Sequence, residues 1–155
     1  MSTVLRTLEF LGLSIWLGSD VFLSFVVAPG AFSVLASRDQ AGAMVGYSLT
    51  RMHWLGVFCG VLILLARLLR TRNIASPVAL CVMLMIVLTL ASQITVSPKM
   101  ATLRTQMGSI QASTADNPLL AEFFRLHRIS VSLESAVLLT GFAALYLLVR
   151  EMSPT

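Results

Sequence analysis

Residues 52–69 read MHWLGVFCGVLILLARLL. As an α-helix this stretch rises about 27 Å, close to the roughly 30 Å of hydrocarbon in a bilayer, and its interior offers no charged group to water. Three further apolar runs accompany it, at about 5–27, 77–95 and 129–149. The whole chain of 155 residues agrees with them: 57% is hydrophobic and 12% charged, where a soluble domain carries about a quarter charged residues. Mean hydropathy is +0.87. A water-soluble fold is excluded by that balance, and disorder more firmly, since disordered chains owe their expansion to low hydrophobicity. The expected fold class is all-α: one integral membrane four-helix bundle spanning residues 1–155 as a single transmembrane domain.

The first run should end at Ala28-Pro29-Gly30, where proline and glycine break the helical pattern. It is too long for the apolar region of a signal peptide and contains Asp20, so it reads as a retained span. The second run begins amphipathically from about Gln40 and turns apolar only at Trp54. Helix 2 should therefore project beyond the bilayer. Helix 3 should continue past its span into SPKMATLRTQM with Pro98 as a kink or break, and helix 4 should start near Pro118, a residue suited to a first helical turn. These projections of helices 2, 3 and 4 fall on the non-cytoplasmic side. Arg6, Arg67, Arg70, Arg72 and Arg150 gather compactly at the other end, so the positive-inside rule puts both termini in the cytoplasm and the protein in the inner membrane. The net charge of +4 is read as topology and lipid contact, with no nucleic-acid partner.

Several residues do not belong in oil. Asp20 lies about 11–13 Å below the Pro29 end of helix 1, and Glu134 about 10 Å below His127 on the same face of helix 4. Gly42, Gly46, Gly56 and Gly60 share one face of helix 2, a packing stripe that lets another backbone approach, and His53 falls on that stripe. If His53 and His127 mark the outer boundary, the two carboxyls sit at one depth, where both cannot be ionised without a proton, cation or base between them. The expected site is a polar pocket of Asp20, His53, His127 and Glu134 that holds a metal ion or relays protons. Its competitors are mutual satisfaction of the four groups, a b-type haem between His53 and His127, and soft-metal binding by Met52 with Cys59 and Cys81 with Met85. No cofactor is fixed by this reading. No phosphate loop, dinucleotide fingerprint, HExxH or GxSxG occurs, so the chain is not expected to be an enzyme.

Phe123-Phe124-Arg125-Leu126-His127, followed by Ser130, resembles the opening of the final helix in the transmembrane protein 205-like family, whose bacterial members are uncharacterised. WLGSDVFLSFVVAP in helix 1, with Trp16, Gly18, Ser24, Phe25 and Val26, and the helix 3 exit from Gln93 to Pro98 are similar as well. The resemblance implies a four-helix membrane protein and, by analogy with a eukaryotic member associated with export of platinum drugs, metal handling. Glu134 and Arg128 depart from that family's pattern, which more usually has Asn and Gly there. The function expected is handling or transport of a small solute or metal ion, by a homo-oligomer since one small bundle hardly encloses a pathway. The alternatives are an accessory subunit docked to a larger membrane complex and a haem-binding electron carrier.

Overall fold

A computed structural model describes residues 2–151. They are helical throughout their regular structure, with no strand among the described residues. Four helices are long and apolar enough to cross a membrane: α1 (Thr3–Val34), α2 (Arg38–Thr71), α3 (Pro77–Met107) and α4 (Pro118–Arg150). Each start after a turn has a local cause. The side chains of Ser37, Ser76 and Asn117 accept hydrogen bonds from backbone N–H groups of the first turns of α2, α3 and α4, and Pro77 and Pro118 occupy first-turn positions that need no donor. Arg72 closes α2 in the left-handed region at φ 54°, its N–H bonded to the Leu68 carbonyl.

Ala28-Pro29-Gly30 does not end α1, contrary to the expectation from its proline and glycine. A wider turn at Leu23–Val27 precedes the proline, with the Ala28 N–H bonded to the Leu23 carbonyl, and the helix continues to Val34. α3 repeats the device at Ser92–Val96 before Pro98 and runs on to Met107. Proline removes one donor and crowds the carbonyl four residues back. One π-turn widens the helix at that point, so the chain bends without stopping.

α1 packs chiefly on α2 and α3 on α4, while α2 lies on α3 and α1 closes onto α4. Short connections make consecutive helices antiparallel, giving an up-and-down bundle. Its apolar core joins all four helices through Leu13, Trp16, Ile63, Val82, Met85 and Val137. Outside, large apolar side chains such as Phe25, Phe58, Leu69, Val87 and Leu139 are exposed. A surface of that kind suits lipid and not water.

The glycine stripe is used inside the bundle. The Trp16 indole occupies the space a Cβ on Gly56 or Gly60 would need, and the Arg104 guanidinium lies against Gly42. Gly56→Ala should lower stability by about 1–3 kcal/mol through overpacking, whereas Gly18→Ala, with open space at that position, should leave it equal or raised. Thermal unfolding in mild detergent measures both.

Candidate functional site

Each helix contributes one side chain to a polar centre. His53 on α2 stands between Gln93 on α3, whose Oε1 is 2.8 Å from Nδ1, and Glu134 on α4, whose Oε2 is 3.0 Å from Nε2. The Asp20 carboxyl on α1 is a neighbour of Glu134, with no direct hydrogen bond between them. Ser24, one turn further along α1, donates to Asp20 Oδ1 at 3.4 Å. His53 and Asp20 are each 1% exposed, and the Glu134 side chain is 14% exposed.

The four residues meet because each lies about 14–16 residues, roughly 21–24 Å of rise, from the same end of its helix. Both π-turns adjoin the site: Gln93 lies within the one in α3, and Ser24, the partner of Asp20, within the one in α1. π-turns often mark functional positions because they re-aim side chains that a regular helix would point elsewhere.

The chemistry follows from the donor inventory. With Nδ1–H donating to Gln93, the other ring nitrogen shares a proton with Glu134: it donates as imidazolium to a carboxylate, or accepts from a carboxylic acid as neutral imidazole. Asp20 Oδ2 and Glu134 Oε1 have no hydrogen-bond partner. Two facing carboxyls are acceptors only when ionised, so a proton between them supplies the missing donor. The centre can thus hold a proton in two adjacent places, between Glu134 and His53 and between Glu134 and Asp20.

His127 does not join this group. It lies on the same heptad stripe of α4 as Glu134, Gly141 and Leu148, yet it is exposed. Contact at the outer end of α4 is made instead by Phe123, Leu126 and Ser130, which are buried. His53 and His127 therefore do not face each other as a haem pair, and both ring nitrogens of His53 are already engaged. Met52, Cys59 and Met85 are buried, and Cys59, Met85 and the partly buried Cys81 belong to or pack against the apolar core. No group of three or more His, Cys, Asp or Glu among the described residues is placed to hold a metal ion.

A second polar layer was not foreseen. Glu9, fully buried on α1, accepts from Arg67 Nη1 at 3.0 Å and from Arg70 Nε at 2.7 Å, both on α2. Arg67 Nε donates to Ser76 at the start of α3, and Nη2 donates to Glu151 at the end of α4. Two of the arginines that topology alone assigns to the lipid interface, Arg67 and Arg70, are thus consumed in ion pairs. The available signal was Glu9 itself, an acid inside an apolar run that demands a cation at its depth.

The chain belongs to a family described as a domain of unknown function, DUF4149, which matches residues 11–109. That is an uncharacterised family, and nothing in the match names the transmembrane protein 205-like one. The matched region holds Asp20, His53 and Gln93, while Glu134 lies beyond it. No curated protein and no solved structure matches the chain.

Glu9→Gln leaves the buried Arg67 and the partly buried Arg70 short of a counter-charge and should cost about 3–5 kcal/mol. Glu151→Gln, at a 37% exposed side chain, should lose clearly less. Thermal unfolding of the two variants beside the parent checks the order.

Proposed function

We propose that this protein is a multi-pass inner-membrane protein, not an enzyme, that takes up and passes on a proton at its polar centre to drive movement of a small solute across the bilayer. The observation that carries this reading is the chain Gln93–His53–Glu134–Asp20, drawn from all four helices and placed among otherwise apolar spans. Ionisable groups are expensive in hydrocarbon and are usually retained for proton or ion handling. The arrangement supports protons better than soft metal ions, since the imidazole is held by two oxygen partners and the sulfur side chains pack elsewhere.

The apolar layer of Leu13, Trp16 and Leu17 lies between Asp20 and the Glu9 network, about 16 Å along α1 from one to the other. That layer separates the centre from the arginine-rich end. On this reading both termini are cytoplasmic, the outer portions of α2, α3 and α4 face the opposite side, and the copies associate as a homo-oligomer to line a solute pathway.

A pH jump applied to proteoliposomes on a capacitive sensor should produce a transient charge displacement as the centre gains or loses its proton. Asp20→Asn combined with Glu134→Gln should reduce it to the level of empty liposomes. An unchanged displacement in the double variant removes the proposal. For topology, a reporter active only outside the cytoplasm should be silent when fused after Thr155.

A further inference from the structure

Resting on the proton reading, a second feature names what competes with the proton. Besides Asp20 Oδ2 and Glu134 Oε1, the buried side-chain oxygens without a hydrogen-bond partner among the described residues are Thr89 Oγ1 and Ser92 Oγ, both on residues only 1% exposed. Thr89 is unusual in this chain. Thr7, Thr50, Thr71, Thr95 and Thr140 all turn their hydroxyls onto the carbonyl four residues earlier, the ordinary way to satisfy a hydroxyl in a helix.

The four residues lie within about 6 Å of one another along the bundle axis. The side chains of Leu17 and Met85 meet over Gly141. From that contact toward the polar centre, Asp20 lies three residues along α1, Thr89 and Ser92 four and seven along α3, and Glu134 seven back along α4. Those steps are about 4.5, 6, 10.5 and 10.5 Å of helical rise. Thr89 thus lies between the heights of Asp20 and Glu134, and Ser92 at the height of Glu134. Gln93, beside Ser92, connects the same turn of α3 to His53.

We infer that Asp20, Glu134, Thr89 and Ser92 form a site for a small monovalent cation, sodium by preference, which replaces the shared proton. A proton between the carboxyls satisfies two of the four oxygens, whereas a cation satisfies all of them. The donor set is all oxygen, which selects hard cations over transition metals. Calcium takes six to eight oxygens and magnesium near-ideal octahedral geometry, so four oxygens, two from neutral hydroxyls, fit a single charge better. Exchange of sodium for the proton conserves charge in the centre, so the two ions compete for it.

The test is equilibrium binding of radiolabelled sodium to the purified full chain in detergent, with Thr89→Val and Ser92→Ala as variants. Binding should be saturable and stoichiometric, displaced by unlabelled sodium and by acid but not by choline, and at least tenfold weaker in each variant. Thr89→Val guards against misfolding as the cause: losing a hydroxyl without a partner, it should unfold in sodium-free buffer at or above the parent's temperature. Sodium should then raise the parent's unfolding temperature and not the variant's. Absence of saturable binding, or equal binding by parent and variants, overturns the cation site. The charge displacement on a pH jump separates the two readings. If it persists without sodium binding, only the cation site falls, and if it is absent from the parent, the proton reading falls with it.

Discussion

Two carboxyls facing one another inside a membrane protein are a constraint before they are a function. Placed in hydrocarbon alone, Asp20 and Glu134 would each demand a partner, and together they repel when both are ionised. The bundle meets this demand with His53 on the far side of Glu134, Gln93 behind the imidazole and Ser24 beside Asp20. Every helix must therefore keep its height and rotation relative to the other three. A shift of α4 by one turn would move Glu134 about 5.4 Å from its neighbours and leave His53 with one partner. Polar networks of this kind fix a single arrangement where apolar packing alone tolerates several.

The second polar layer does the same at the opposite end. Glu9, Arg67, Arg70, Ser76 and Glu151 tie the start of α1 to the end of α2, the start of α3 and the end of α4. Between the layers, Trp16 fills the gap left by Gly56 and Gly60, which lets α1 and α2 approach closely. The bundle is thus pinned at two heights and packed dry between them. The apolar core separates the polar centre from the Glu9 network.

The four helices were legible in hydropathy alone, because a span in lipid needs a long apolar run and little else. Depth arithmetic was enough to pair Asp20 with Glu134, and the glycine stripe was enough to turn His53 inward. His127 stayed outside the group because a shared stripe does not say which face of α4 turns inward at its outer end, where Phe123, Leu126 and Ser130 are buried instead. The continuation of α1 past Pro29 was hidden for another reason: a π-turn depends on what the surrounding helices require, and a proline by itself reads as an end. Gln93 and Glu9 carried weaker signals, one an uncharged amide and the other an acid close enough to a helix end to look solvated.

The account stands on the Asp20–Glu134 pairing within one chain. In a background with Cys59 and Cys81 replaced by alanine, Asp20→Cys with Glu134→Cys should form an intramolecular disulfide in native membranes under mild oxidation. His127→Cys should not form one with Asp20→Cys. Absence of the Asp20–Glu134 crosslink, or a crosslink that forms only between chains, would contradict the account.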